Sequence, residues 1–389
     1  MDLWSHRRPV LASGITILAV TLAAAGSVVI EVWTENHEWV RLLISIVSAV
    51  LLVILLLTQA RVTKERGTLY YVRLIGGWMP DLYADMESEF GNTYGDEKVV
   101  AEHIIAQPRQ GVWDLSDQVA SVTHKLQLLM AQDDTRTSFT IAPNMLYAVA
   151  LAVGYRMHAP KDTRLIEFGG DGEQAITWRM AKGGGEELPD TKVVSIGPQL
   201  PADGDPDVRS VLLSVYLTPN SHSFAPRGLT TDRCHVVGIL DEHGRPVSVT
   251  LHQPGAPATG AKTAPDFESA TRAVIAAITQ TLTSYPRATV YLAARLPKTV
   301  AIAVGHGLGG PGRANGTPII PPAARRPWSR LVPLLLNQES SNDPAEPSPC
   351  FLVARVDPAQ PEVAELSALA IRDGLFIHPP DGEHTHAAT

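Results

Sequence analysis

The sequence is poor in cysteine and lacks the common catalytic and metal-binding motifs. Only Cys234 and Cys350 occur in 389 residues, and neither has a Cys or His neighbour at a zinc-binding spacing. Two isolated thiols fit a reducing cytoplasm better than a disulfide scaffold. No Walker-type phosphate loop, no HExxH and no GxSxG is present. We therefore expect a binding protein rather than an enzyme, with no catalytic residue, no metal and no cofactor.

Acidic residues are missing from one long segment. Residues 269–338 contain no Asp or Glu, although the chain average of 40 acids in 389 residues would place about seven there. The formal net charge of −8 argues against general coating of nucleic acid, so we expect no direct DNA or RNA binding. The acid-free segment favours a phosphate-bearing ligand, with a solvated basic face or a lipid-facing patch as alternatives. Its basic residues are Arg272, Arg287, Arg295, Lys298, Arg313, Arg325, Arg326 and Arg330.

Long uncharged runs are confined to the start of the chain. Residues 10–30 and 42–60 are each long enough to cross a hydrocarbon core of about 30 Å as a helix. The short loop between them is acidic, and basic residues lie on both outer flanks, which predicts that both ends are cytoplasmic. A signal peptide is the alternative interpretation of the first run.

The remainder of the chain contains an internal repeat. AVALAVGY at 148–155 and TVAIAVGH at 299–306 are identical at five of eight positions, with an offset of 151. Each follows a predicted helix (117–131; 266–283), a short strand (138–141; 289–293) and a turn containing Pro (142–144; 295–298). Two copies of one α/β unit are the simplest explanation. Strands alternating with helices predict mainly parallel, Rossmann-like sheets.

The repeat predicts the domain organisation. We expect a helical hairpin at 1–66, a first unit at 67–181 and a junction loop at 182–209. A second unit with a C-terminal extension follows at 210–378, and 379–389 reads as a disordered tail. The strand at 350–356 and the helix at 361–374 have no evident counterpart in the first copy.

A dinucleotide fingerprint is an alternative interpretation of the second copy. Gly305, Gly307 and Gly310 match GxGxxG, but a true fingerprint needs a helix to begin at the last glycines. Proline and glycine within 311–318 exclude that helix. We therefore interpret the segment as a helix that is ended by glycines.

The second copy, VYLAARLPKTVAIAVGHGL at 290–308, resembles the strand, polar turn and small-residue helix of SAVED domains. WSRLVPLLL at 328–336 resembles the strand that follows in that family. SAVED domains are two fused CARF-like, Rossmann-like units, which would account for the repeat. The insert at 307–322 and the C-terminal strand and helix depart from the family pattern.

With the N-terminal hairpin, the chain resembles the two-TM SAVED effectors of CBASS anti-phage systems. The resemblance implies a cyclic di- or trinucleotide ligand made by a partner cyclic nucleotidyltransferase. It also implies that ligand binding drives homo-oligomerisation and disruption of the bacterial inner membrane, with the lipid bilayer as a partner. A membrane-tethered enzyme acting on nucleotide or lipid-phosphate substrates, and a non-sensing scaffold, remain alternatives.

Ligands of open α/β sheets bind beyond the carboxyl ends of the strands, which selects the candidate residues. The two repeats contribute Asn144, Arg295, Lys298 and Thr299: Asn144 to bond a base or phosphate, Arg295 and Lys298 to neutralise phosphates. The alternatives are a helix cap for Asn144 and plain surface charge for the basic residues. Further candidates beyond other strand ends are Arg109, Gln107, Gln253 and Arg227, and Trp78 as a base-stacking residue or a half-buried core tryptophan.

Overall fold

A computed structural model describes the parts of the chain from which the fold is built. The described residues are 46–47, 50, 52–54, 67–91, 93–105, 107–133, 138–160, 163–168, 175–180, 207–217, 231–238, 266–309, 326–336 and 351–375. The sequence also predicts short strands at 193–196 and 247–251. These two segments and the predicted tail at 379–389 lie outside the described residues. The domain boundaries stay predictions.

The described helices and strands fall into two halves. The first half contains β1 (Thr68–Ile75), α1 (Tyr83–Phe90), β2 (Asp96–His103), β3 (Val112–Asp114), α2 (Ser116–Ala131), β4 (Phe139–Met145), α3 (Tyr147–Arg156), β5 (Arg164–Glu167) and β6 (Ile176–Arg179). The second half contains β7 (Ser210–Tyr216), β8 (Arg233–Gly238), α4 (Phe267–Ser284), β9 (Thr289–Arg295), α5 (Lys298–Gly309), β10 (Leu331–Leu336), β11 (Phe351–Arg355) and α6 (Val363–Arg372).

The two halves repeat one sheet topology. The first sheet has the order β2-β1-β4-β5-β6, and the second contains β8-β7-β9-β10-β11 in the corresponding order. In both, the first four strands are parallel and the last is antiparallel. The prediction of a mixed α/β fold with mainly parallel sheets is therefore confirmed. β11, for which the sequence offers no counterpart, takes the place that β6 takes in the first sheet.

Apolar runs explain why the central strands are parallel and buried. Every residue of β4 and β7 is buried, and β1 has one partly exposed residue, Arg73. Helices cover both faces of such sheets, so their strands do not alternate between apolar and polar residues. Tyr70, Val72 and Leu74 of β1 pack into the main core on one face, while Leu69 and Tyr71 pack into a smaller cluster on the other.

The repeated helices α3 and α5 pack against each other at equivalent glycines. A Cβ added at Gly154 would lie 2.0 Å from the carbonyl oxygen of Ile302, and one added at Gly305 would lie 1.9 Å from that of Leu151. Both contacts obey the offset of 151, so the two halves are related by an approximate two-fold axis through this helix pair. The prediction that 299–306 is helical is confirmed.

One strand of the first half completes the second sheet. β3 pairs in parallel with β11, after a tight turn in which Gln110 and Gly111 have positive φ angles of 51° and 74°. Arg355 of β11 is mostly buried and donates hydrogen bonds to Asp114 Oδ2 at 2.8 Å and Ser116 Oγ at 3.3 Å. The pairing of β3 with β11 is thus a second contact between the two halves, besides that of α3 with α5.

The predicted location in the bacterial inner membrane, with two spans, is contradicted. Among the residues that the structure describes, no helix has the length and apolar character needed to cross a bilayer. The first predicted span, 10–30, lies outside the described residues, and 42–60 is described only at 46–47, 50 and 52–54, all helical.

Candidate ligand-binding site

The parallel strands β1, β2 and β4 end at one edge of the first sheet, where Asn144 lies. The structure corrects the prediction of a turn at 142–144, because β4 continues through Pro143 and Asn144 to Met145. β5 pairs with β4 only through Ile141, so Pro143 lies beyond that pairing. Helix α3 begins after Leu146 with no side-chain cap, so the helix-cap alternative for Asn144 is wrong.

Asn144 is fully buried and joins the two halves. Its Nδ2 donates to Tyr71 Oη at 3.1 Å and to the Pro80 carbonyl at 2.9 Å. Its Oδ1 accepts a hydrogen bond from Nζ of Lys298, the first residue of α5, at 3.0 Å. Since an amide offers two donors and one oxygen, Asn144 is bonded on both polar atoms. Its contact with a ligand stays a prediction. In this structure the Asn144 side chain bridges Tyr71 and Pro80 of the first half to Lys298 of the second.

The first turn of α5 is occupied by a carboxylate from the first half. Glu167 Oε2, at the end of β5, accepts from the Thr299 N–H at 2.9 Å and from Thr299 Oγ1 at 2.6 Å. Trp178 Nε1 also donates to Thr299 Oγ1, at 3.2 Å. The positive end of the helix dipole favours such an anion. Thr299, a predicted ligand contact, is thus fully buried and engaged by protein groups.

Burial shifts the pKa values of the two charged groups in opposite directions. Desolvation raises the pKa of Glu167, while the hydrogen bonds from Thr299 and the nearby charge of Lys298 oppose the rise. Desolvation lowers the pKa of Lys298, and the nearby Glu167 opposes that change. In both groups burial disfavours the charged form. An anionic ligand beside Lys298 would favour the charged form of that ammonium.

The equivalent position in the other half is filled by a tyrosine. Tyr147 precedes Lys298 by the repeat offset of 151, and its Oη lies 2.7 Å from the carbonyl oxygens of both Leu292 and Leu334. It also accepts a hydrogen bond from the Leu334 N–H at 3.2 Å. Desolvation by the surrounding protein raises the pKa of Tyr147. The Tyr147 hydroxyl thus contacts backbone atoms of β9 and β10. The equivalent Lys298 contacts a side chain, that of Asn144.

The exposed part of this edge carries other predicted residues. Trp78 follows β1 and is 60% exposed, so the core-tryptophan alternative is wrong. Gln107 and Arg109 follow β2 and are exposed. Arg295 ends β9 and is partly exposed. Arg227 and Gln253 lie outside the described residues.

Sequence reasoning missed several residues of this edge. Tyr71 Oη donates to Asp81 Oδ1 at 2.7 Å, and Arg73 forms an ion pair with the same carboxylate. The sequence predicts a strand at 164–168, and Glu167 lies near its carboxyl end. Nothing in the sequence links these residues to the predicted ones: Tyr71 is 73 positions from Asn144, and Glu167 is 132 positions from Thr299. Only the position of Glu167 at a strand's carboxyl end was a usable signal.

The fold and site thus define a duplicated α/β protein with a polar cluster where its halves meet. No protein-family model and no curated protein matches the chain. Among solved structures it is similar to the Acinetobacter baumannii Cap4 SAVED/CARF-domain containing receptor with the cyclic trinucleotide 2'3'3'-cAAA. That similarity has 10% identity and a TM-score of 0.35, and covers 69% of this chain and 48% of that one.

The same receptor with 3'3'3'-cAAA matches at 11% identity and a TM-score of 0.34, over 63% of this chain and 46% of that one. The Moraxella osloensis Cap4 SAVED/CARF-domain containing receptor matches at 11% identity and a TM-score of 0.28, over 61% and 42%. The chain therefore spans less than half the length of these receptors.

Proposed function

We propose that the chain is a receptor for a cyclic oligonucleotide, built from two CARF-like units as in a SAVED domain, and that it is not an enzyme. The observation that carries the proposal is the Lys298–Asn144 contact between two halves of equal topology. It places the carboxyl end of β4 beside the first turn of α5. Ligands of open α/β sheets bind at such strand ends.

The ligand class follows from the charge and symmetry of this junction. Lys298 is the first residue of α5, and Arg295 lies three residues before it. Both belong to the segment 269–338, which has no acidic residue. Such cations recognise phosphates. A cyclic di- or trinucleotide repeats its phosphates and bases around a ring, so it presents similar groups to both halves of a duplicated protein. In this proposal Arg295 and Lys298 contact phosphates, while Asn144 orients Lys298.

The remaining parts of the proposal follow from the sequence resemblance of 290–308 and 328–336 to the SAVED effectors of CBASS systems. The ligand is the product of a cyclic nucleotidyltransferase, and its binding drives self-association of the receptor. The receptor does not bind DNA or RNA directly. Disruption of a membrane is not proposed.

Calorimetry of the full chain with a panel of cyclic di- and trinucleotides tests this function. We expect saturable binding of at least one member, weakened about tenfold or more by Arg295→Met, because hydrogen bonds to charged groups contribute about 1.5–3 kcal/mol. Arg287→Met is the matched control, since exposed Arg287 precedes β9 at the opposite edge of the sheet. It should bind like the wild type.

Product analysis of the same mixtures tests the enzyme alternative. Turnover of a nucleotide that Lys298→Ala abolishes would favour an enzyme. The absence of saturable binding to every panel member would contradict the receptor proposal.

A further inference from the structure

An exposed tryptophan stands at the carboxyl edge of the first sheet. Trp78 is 60% exposed and follows Gly76 and Gly77 at the end of β1. A Cβ added at Gly76 would lie 2.5 Å from Trp78 Nε1, so only glycine leaves room for the indole to fold back over the loop. The indole is therefore held near the sheet edge while one large part of its surface faces solvent.

A second tryptophan supports the first. The ring centroids of Trp78 and Trp113 are 6.4 Å apart with an interplanar angle of 33°. Trp113 is only 9% exposed and lies in β3, which is paired with β11 of the second sheet. Aromatic pairs at this separation attract each other. Trp78 thus rests on a ring that is fixed by both halves.

The loop that carries Trp78 is tied to the buried cluster. The Pro80 carbonyl accepts from Asn144 at 2.9 Å, and Asp81 accepts from Tyr71 at 2.7 Å. Lys298 in turn donates to Asn144 Oδ1 at 3.0 Å. A chain of hydrogen bonds therefore links the loop that follows the exposed indole to the other half.

The surroundings of Trp78 combine apolar surface with positive charge. β1 and β2 end together, because the Ile104 N–H donates to the Ile75 carbonyl at 3.0 Å, and the following Ile105 is 84% exposed. Arg109 is exposed and pairs with Val112 in the turn directly before Trp113. Asp81, the carboxylate in the loop that follows Trp78, is neutralised by Arg73. A flat aromatic group linked to a phosphate is complementary to these features.

We propose that Trp78, supported by Trp113, is the stacking subsite for one nucleobase of the ligand. Arg109 faces the adjoining phosphate, and the Lys298–Asn144 pair positions the loop. This inference rests on the proposed function and adds to it the residue that contacts a base of the ligand. Bases stack on aromatic side chains with little dependence on sequence, so the subsite favours bases by ring size.

Substitution of Trp78 in the full chain tests the subsite. With the panel member that binds most tightly, Trp78→Ala should weaken binding by roughly 5- to 150-fold, the cost of one lost base–aromatic stack. Trp78→Phe should retain most of the affinity, because it keeps an aromatic face. Leu128→Ala is the control: Leu128 is 48% exposed on α2, near the end that leads back to the start of β4.

The outcomes separate this inference from the function beneath it. If the wild type binds no panel member, the receptor function fails. If the wild type binds and Trp78→Ala binds equally well while melting at the wild-type temperature, the stacking subsite is overturned and the receptor function stands. A Trp78→Ala variant that keeps its affinity and loses only self-association, measured by sedimentation, would assign the indole to a second copy of the chain and also overturn the subsite.

Discussion

The two halves share a fold and differ at the position where each reaches into the other. Tyr147 begins α3 and Lys298 begins α5, one repeat offset apart. Tyr147 bonds backbone atoms of β9 and β10, whereas Lys298 bonds the Asn144 side chain. The Tyr147 hydroxyl thus supports the second sheet. The Lys298 ammonium instead places beside the first sheet a positive charge that burial destabilises. The two equivalent positions differ in their contacts: Tyr147 supports the second sheet, and Lys298 carries the proposed contact with the ligand.

The largest expected effect breaks the part that the halves share. Gly154→Ala and Gly305→Ala should each lower the free energy of unfolding by about 3 kcal/mol, the upper end of overpacking costs. The reason is that each added methyl would lie 2.0 Å or less from a carbonyl oxygen of the facing helix. Chemical denaturation of the full chain measures the change.

Gly77→Ala is the matched control for this prediction. No atom lies within 4 Å of a Cβ added at Gly77, so its stability should stay within about 0.5 kcal/mol of the wild type. Equal stabilities for Gly77→Ala, Gly154→Ala and Gly305→Ala would contradict the close packing of α3 on α5.

The next prediction sharpens the difference between the halves. Tyr147→Phe should lower the free energy of unfolding by about 1–3 kcal/mol, because the buried backbone groups of Leu292 and Leu334 lose their partner. Ligand affinity should not change. Lys298→Met should do the reverse, weakening ligand binding about tenfold with a smaller change in stability. The ammonium's lost hydrogen bond to Asn144 is offset by relief of its desolvation.

Parallel denaturation and calorimetry on both variants provide the measurement. If Tyr147→Phe reduced affinity as much as Lys298→Met, the two positions would share one role and the proposed division between the halves would be wrong.

The smallest effect concerns pH and the carboxylate at the start of α5. Burial raises the pKa of Glu167, so between its usual value of about 4.3 and the raised value the folded state binds more protons than the unfolded state. Stability therefore falls as pH rises through that window. Glu167→Gln cannot titrate, so its stability relative to the wild type should improve over the same range.

Glu102→Gln provides a control of opposite sign. Hydrogen bonds from Lys125 and Ser121 lower the pKa of Glu102, so the wild type gains stability from this group as pH rises. The stability of Glu102→Gln relative to the wild type should therefore fall over the same range. Denaturation curves at several pH values measure both slopes. Equal slopes for the two variants would contradict the burial of the Glu167 charge.

The helices, the parallel strands and the repeat could be predicted because each depends on a short stretch of sequence. The offset of 151 between the repeats, the helices and the parallel strands all followed from short apolar runs. Contacts across the chain left no such trace. Nothing indicated that β3 would join the second sheet, that Glu167 would reach Thr299, or that β4 would continue through Pro143. Proline and asparagine favour turns in isolation, but burial between neighbouring strands overrode that preference here.

The candidate site was predicted by position more than by role. Strand ends selected Asn144, Lys298 and Thr299, and the structure brings these three together. Their hydrogen bonds to Glu167 and Tyr71 depend on long-range packing and were not foreseen. The membrane location failed for another reason: apolar length alone predicted the spans, and the described residues contain no spanning helix.

Hydrogen–deuterium exchange of the full chain, with and without the tightest cyclic nucleotide, tests most directly whether both halves share one ligand. We predict slower exchange at the carboxyl edges of both sheets, in the loop after β1 and in the first turn of α5, with no change at the amino ends of β1 and β9. Protection confined to one half, or none with any panel member, would contradict the account.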